Sequence, residues 1–393
     1  MAATRTEELV HRIASTSFFS PCSFLSPVRA DNGEELCDVL VVVDPDVIVF
    51  SIKEVQPKVT GDYNVDAKRW STRAVASSIK QLKGARRTLE RGVDIYSTDG
   101  QRINLPPLDQ MRIRTVGIAF GGKEDYYINS NTSKDAPIYT FDGECFELAM
   151  GELDTITDFL TYLDEVFRFT STHQIISDGG DMGALCSYLL NGRRFVDNGN
   201  PALILSNRWD EIQNDARYKR KKELDRVSYL WDELIVDVIS GGVLHEGPLS
   251  GLEIARELSR ETRLKRRLLG AFLKVCYVEP DEEVVLPYLI ANDAGTLHLF
   301  ESDLAEELSL AEECAFLASQ NSEVKRVIAI SGGARIDGKP WVSSVCVVIP
   351  SIHDTTLNLD QPKLERLQKR LAQGEPRPIP LVEFPETMPE EES

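Results

Sequence analysis

Two strongly apolar runs near the N-terminus, residues 37–43 and 47–52, constrain the fold of this chain more than any other feature. They are rich in valine and isoleucine, which favour buried strands, and the polar segment Asp44-Pro45-Asp46 between them is typical of a tight turn. Strands joined by so short a connection pair with each other. The sequence therefore predicts a β-hairpin in the core of an α/β domain.

Three polar side chains stand out in this apolar hairpin. Asp38 lies near the start of the first strand, and Ser51 and Lys53 lie near the end of the second. Because side chains alternate along a strand, Ser51 and Lys53 are expected on one face with Ile52 opposite, and hairpin pairing is expected to bring Asp38 beside them. A carboxylate, a hydroxyl and an ammonium group would then share one patch, which suits a metal-dependent phosphodiesterase.

The next segment, residues 67–92, has the apolar periodicity of a helix and is strongly basic. Between residues 68 and 91 it contains eight Lys and Arg residues and a single Glu, whereas the whole chain has a net charge of −19. That total argues against nucleic-acid binding over the entire surface, so phosphate contact is predicted on this helix. Trp70 could stack on a base, although its spacing favours the core. The candidate nucleic-acid-binding residues are Arg73, Lys80, Lys83, Arg86 and Arg87.

The 393 residues are sufficient for two domains, and an apolar share of 42% is ordinary for globular proteins. The sequence predicts a nuclease-type domain over residues 1–150, a mixed α/β domain of unknown role over 151–372, and an acidic, proline-rich tail over 373–393. No apolar run reaches the roughly 20 residues of a membrane helix, and the N-terminus lacks the pattern of a signal peptide, so a cytoplasmic location without membrane contact is expected. The cysteines and histidines lack the spacing of a zinc site.

These features together resemble the PD-(D/E)xK nuclease superfamily, which has the restriction-endonuclease-like fold. The likeness is to a bacterial group with E-L-C-D, S-x-K and K-Q-L-x-G-A motifs, and it covers roughly residues 5–120. The matching residues are Glu35, Leu36, Cys37 and Asp38, then Ser51 and Lys53, then Lys80, Gln81, Leu82, Gly84 and Ala85.

The resemblance implies an α/β fold with an N-terminal mixed sheet flanked by helices, followed by a second mixed α/β region. It also implies a Mg²⁺ or Mn²⁺ ion bound by Asp38 and by the backbone carbonyl of Ile52, with Lys53 against the scissile phosphate. Gln81 matches a glutamine that often lies beside such a site. Glu8 could supply the glutamate that related nucleases contribute from their first helix.

Ser51 departs from the pattern of this superfamily, in which a carboxylate occupies that position. A neutral hydroxyl is the weaker magnesium ligand, so metal affinity should fall unless another carboxylate compensates. Glu35, Glu8 and Glu54 are the candidates, and strand alternation makes Glu54 the least favoured. The alternative is that Asp38 and Lys53 form an interior ion pair in an inactive copy of the fold.

Three functions remain open from the sequence. The first is metal-dependent phosphodiester hydrolysis of nucleic acid, most simply DNA, for which the resemblance alone implies a role in bacterial anti-phage defence or genome maintenance. The second is a catalytically inactive nuclease fold that binds nucleic acid, a protein partner or a second copy of itself. The third is a sensor whose second half binds a small ligand at a turn formed by Gly332 and Gly333.

Overall fold

The chain forms two compact units, which divide after Lys221. The computed structural model describes residues 3–55, 62–121, 137–178, 180–196, 202–246, 248–277, 289–291, 295–302, 325–334, 340–348 and 365. The predicted tail from residue 373 onwards lies outside these ranges. The sequence placed a boundary near residue 151, but that position lies inside a helix of the first unit.

The first unit contains both strands of the predicted hairpin and the basic helix. Its elements are α1 (Arg5–Ser17), β1 (Ser23–Leu25), β2 (Val28–Arg29), β3 (Val39–Val43), β4 (Asp46–Glu54), α2 (Tyr63–Trp70), α3 (Ser77–Glu90), β5 (Ile95–Tyr96), β6 (Arg112–Phe120), β7 (Ile138–Asp142), α4 (Gly143–Glu152), α5 (Ile156–Thr172), β8 (Gln174–Asp178), α6 (Asp181–Leu190), β9 (Ala202–Ser206) and α7 (Trp209–Asn214). Helix α8 (Ala216–Asp225) crosses the division between the units.

The main sheet of this unit is mixed, with strand order β1-β3-β4-β6-β7. Strands β1, β3 and β4 are antiparallel, and β4, β6 and β7 are parallel. The connection from β4 to β6 runs through α2 and α3, as a parallel pair of strands requires a long crossover. This sheet with helices beside it confirms the predicted α/β architecture of the N-terminal region.

The two faces of β4 differ in what covers them. Val47 and Val49 belong to a buried cluster that includes Leu82 of α3, whereas Phe50 contacts Phe146 of α4 and Phe159 of α5 through their rings. Because alternate residues share a face, Ser51 and Lys53 continue the face that α3 covers. The polar end of the strand therefore follows directly from its apolar part.

Helix α5 explains why the first unit extends beyond residue 151. It begins after Thr155, whose side chain caps the helix by accepting a hydrogen bond from the backbone of Asp158. Its Phe159 ring also packs near Phe18 and Phe141, with ring centroids 5.8 and 6.2 Å apart respectively. A helix that buries its apolar side against β4 and β7 belongs to the same core as the hairpin.

The second unit forms its own mixed sheet. Its elements are α9 (Tyr229–Ser240), β10 (Leu244–Glu246), α10 (Gly251–Leu258), α11 (Arg263–Tyr277), β11 (Leu289–Ala291), β12 (Thr296–Ser302), β13 (Arg326–Ala334) and β14 (Pro340–Val348). The strand order is β10-β14-β13-β12-β11. The predicted glycine turn is wrong, because Gly332 and Gly333 lie within β13 and pair with Val342 and Trp341 of β14. The sensor hypothesis thus loses the turn on which it depended.

Candidate functional site

Asp38 lies at the junction where the loop before β3 joins the sheet, and only 3% of the residue is exposed. Its backbone N–H donates to the carbonyl of Phe50 at 3.2 Å. Its Oδ2 accepts a hydrogen bond from the backbone N–H of Ile52. The carboxylate thus takes the place of a backbone acceptor at the end of the β3–β4 pairing, which holds it firmly against β4.

Lys53 reaches the same carboxylate from the solvent side. Its Nζ lies 3.4 Å from Oδ2 of Asp38, and 30% of the lysine side chain is exposed against 4% for the aspartate. The structure therefore brings together the two residues that hairpin pairing was expected to join. Because the ammonium remains partly exposed, it can contact a ligand in solvent while it stays close to Asp38.

Ser51 and Gln81 form a chain of hydrogen bonds that ends at Asp38. The fully buried Ser51 donates its hydroxyl hydrogen to Oε1 of Gln81 at 2.9 Å. The Gln81 amide nitrogen in turn donates to Oδ1 of Asp38 at 3.0 Å. Ser51 therefore orients the Gln81 amide so that its N–H points at the carboxylate. Position 51, where the sequence resemblance led us to expect a carboxylate, here holds a neutral hydroxyl that orients Gln81.

Glu35 supplies a second carboxyl group beside Asp38. Glu35 is exposed as a residue, but partial burial of its carboxyl group, the nearby Asp38 charge and a hydrogen bond to Asp38 together raise its pKa to about 7. A carboxyl group with a pKa of about 7 is about half protonated near neutral pH, because ionisation beside the charge of Asp38 is unfavourable.

Helix α1 contributes a different glutamate from the one that the sequence suggested. Glu8 is exposed, and within the described residues no hydrogen bond or ion pair joins its side chain to the site. The charge of Glu7 instead helps to raise the pKa of Glu35. Glu7 also caps α1, because its Oε2 accepts from the backbone N–H of Thr4 at 2.7 Å. The Thr4-x-x-Glu7 capping pattern was the available sequence signal.

Glu54, the third candidate for a compensating carboxylate, is exposed, and its Oε2 lies 3.4 Å from the Thr6 hydroxyl.

The donor set suits a hard divalent cation. In the described part of the chain, no three His, Cys, Asp or Glu side chains form a metal-binding group. Mg²⁺, however, commonly uses one or two carboxylates and completes its shell with water. Asp38, Glu35 and the backbone carbonyl of Ile52 could supply such ligands, because a divalent cation displaces the proton of a carboxyl group that becomes its ligand.

The predicted nucleic-acid-binding residues fall into two groups. Arg73, Lys80, Lys83 and Arg87 are exposed on one helical segment. Arg86 is half-buried, donates to the carbonyl of Ile113 at 2.7 Å and lies 3.3 Å from Glu90, so the sheet holds it in place. Trp70 is 2% exposed and packs on Ala74 and Ala119, which confirms its core role.

Comparisons with known proteins do not indicate a function for this chain. No protein-family model, no curated protein and no solved structure matches this chain. None of the helices in the described part of the chain combines the length and apolar character needed to cross a membrane.

Proposed function

We propose that this protein is a metal-dependent nuclease of the restriction-endonuclease-like class that hydrolyses phosphodiester bonds in DNA. The observation that carries the proposal is the convergence of Asp38, Glu35 and Lys53 at the end of β4, beside an exposed basic helix. The mixed sheet, in which β4 and β6 are parallel on either side of a helical crossover, supports the same class. The proposed cofactor is Mg²⁺ or Mn²⁺, bound by Asp38, Glu35 and the carbonyl of Ile52.

Each side chain has a distinct role in this proposal. A bound divalent ion would activate water and offset the charge that develops on the phosphate. Gln81 holds Asp38 in a fixed orientation through Oδ1, and Ser51 holds Gln81. Lys53 places a positive charge against the phosphate, since its ammonium is partly exposed. Glu35 must lose its proton before it can act as a ligand.

The test is incubation of purified protein with supercoiled plasmid in Mg²⁺, in Mn²⁺ and in EDTA. We expect nicked and linear products with either metal and none in EDTA. Absence of cleavage in both metals, at protein concentrations that saturate DNA binding, would overturn the proposal.

A second candidate function is a catalytically inactive nuclease fold that binds nucleic acid or a protein partner. The observation in its favour is that protein groups already satisfy Asp38, which accepts from Ile52, Lys53 and Gln81. An interior ion pair of this kind needs no metal. The plasmid assay separates the two functions, because only the nuclease produces cleaved DNA.

The raised pKa of Glu35 gives the metal site a pH dependence. In the folded protein the pKa of Glu35 is about 7, against an ordinary value of 4.5, so Glu35 stays mostly protonated below pH 7. Mg²⁺ must displace this proton, so its affinity should rise by about tenfold from pH 6 to pH 8. Calorimetric titration with MgCl₂ at the two pH values measures this change. Glu35→Gln should remove it, and an equal pH dependence in that variant would contradict the assignment.

A further inference from the structure

The helical crossover between β4 and β6 contains a π-helical turn, Ser71–Ala76, between α2 and α3. From residue 70 to residue 82 its buried residues recur at every fourth position, namely Trp70, Ala74, Ser78 and Leu82. In an α-helix four residues advance about 400°, so a stripe with this spacing drifts by about 40° per step and by about 120° over three steps. The wider π turn takes up the extra residue. It therefore keeps one continuous face of the crossover on the sheet.

The opposite face of the crossover is basic along its whole length. Six of its cations are exposed, and no ion pair within the described residues neutralises them. They are Lys68, Arg69, Arg73, Lys80, Lys83 and Arg87, which we call the basic ridge. The single acidic residue between positions 65 and 89, Asp66, is buried at 3% exposure. Because the π turn corrects the phase of the helix, cations from α2 and α3 face solvent on the same side.

The chemistry of the basic ridge selects a phosphate backbone over exposed bases. Binding of single strands relies on aromatic side chains that stack on bases. Between residues 65 and 91 the chain has one aromatic residue, Trp70, and it is buried. From Lys68 to Arg87 the crossover spans about 28 Å at about 1.5 Å per residue, close to one helical turn of a duplex, about 34 Å.

We propose that the basic ridge docks the phosphate backbone of a nucleic-acid duplex over most of one turn, and that the π turn makes the ridge continuous. The inference rests on the proposed function in that it specifies the form of the nucleic acid which this site receives. Gln81, next to Lys80, reaches Asp38 from the same helix. Helix α3 thus carries three of the six ridge cations and one side chain of the candidate site. Contact without base recognition makes the binding independent of sequence.

The experiment measures the salt dependence of binding by the full chain in EDTA, which prevents cleavage. Fluorescence anisotropy follows a labelled 30-base-pair DNA duplex, an RNA duplex of that length and the matching single strand between 50 and 200 mM KCl. Two triple variants divide the ridge at the π turn: Lys68→Gln with Arg69→Gln and Arg73→Gln, and Lys80→Gln with Lys83→Gln and Arg87→Gln. The control triple removes three exposed cations elsewhere: Lys219→Gln, Arg226→Gln and Lys325→Gln.

For six phosphate contacts we expect the logarithm of the duplex affinity to fall with the logarithm of salt at a slope of about −5. Each ridge triple should make that slope shallower by about three, to about −2, and the control triple should leave it unchanged. The duplex bound more tightly identifies DNA or RNA as the source of the backbone.

Any one of four results would overturn the proposal that the basic ridge binds a duplex. These are tighter binding of the single strand than of the duplex, a changed salt slope in only one of the two ridge triples, an equal change of slope in the control triple, or no duplex binding at 50 mM KCl. If both ridge triples cleave plasmid and keep the parent slope, the proposed duplex binding by the ridge is wrong and the proposed nuclease activity stands. If the slopes change as expected but no plasmid is cleaved, the ridge binds duplex and the proposed nuclease activity is wrong.

Discussion

Asp38→Asn is expected to reduce Mg²⁺-dependent plasmid cleavage by at least about 10³-fold, because it removes the carboxylate that the site is built around. The substitution keeps an acceptor oxygen for the backbone N–H of Ile52, so the β3–β4 junction should persist. It removes the negative charge that Lys53 contacts and that holds a proton on Glu35. Initial rates of nicking at saturating Mg²⁺, measured beside circular dichroism of the same sample, give the comparison.

The matched control for this substitution is Asp164→Asn. Asp164 also pairs with a cation, Arg114, at 2.9 Å, but it is half exposed and lies on α5. We expect the control to cleave at the rate of the parent protein. Lys53→Gln should resemble Asp38→Asn, since the ammonium is assigned to the phosphate. If Asp38→Asn is folded and retains its cleavage rate, the catalytic assignment of this site is incorrect.

Ser51→Asp is expected to make the stability of the protein depend on divalent metal. Ser51 is fully buried, so the new carboxylate would join the buried carboxylate of Asp38 in one desolvated group. Gln81 presents its NH₂ group to Asp38 and its Oε1 to position 51, so the new carboxylate would meet an oxygen and no donor. This leaves a buried charge uncompensated at a cost of about 3–5 kcal/mol. In EDTA the Tm should therefore fall by about 10 °C.

Mg²⁺ should reverse most of this loss, since it binds the folded site and gains a ligand. A ligand at a hundred times its Kd stabilises the folded state by about 2.7 kcal/mol. The control is Ser51→Asn, which has a similar size and no charge, and we expect its Tm to be the same in EDTA and in Mg²⁺. Equal Tm values of Ser51→Asp in EDTA and in Mg²⁺ would show that position 51 does not face a metal site.

The strand pattern was sufficient to predict the centre of the candidate site. The apolar runs and the turn predicted β3 and β4, and alternation placed Ser51 and Lys53 on one face. Both predictions depend on backbone geometry that repeats every two residues, so they need no knowledge of the rest of the fold. The location of Asp38 beside Lys53 followed from the same pairing, and the two groups lie 3.4 Å apart.

The contacts behind Asp38 could not be predicted in this way. Gln81 is 43 positions from Asp38 along the chain, and its amide direction depends on the Ser51 hydroxyl. Glu35 lies in a loop whose path strand periodicity does not determine. The sequence resemblance indicated Glu8, whereas in the structure it is the charge of Glu7 that acts on Glu35, because packing sets the rotation of α1 against the sheet. Adjacent helix residues differ by about 100° in direction, so a small error in rotation exchanges them.

The sequence by itself determined the α/β class, the buried hairpin and the convergence of Asp38 with Lys53, because these depend on short-range periodicity. The tertiary structure alone decided that Glu35 joins Asp38, that Ser51 acts through Gln81, and that the first unit continues past residue 151. It also decided the π turn, which keeps one face of the crossover buried on the sheet. Loop paths, amide orientations and helix phase all depend on packing between distant parts of the chain.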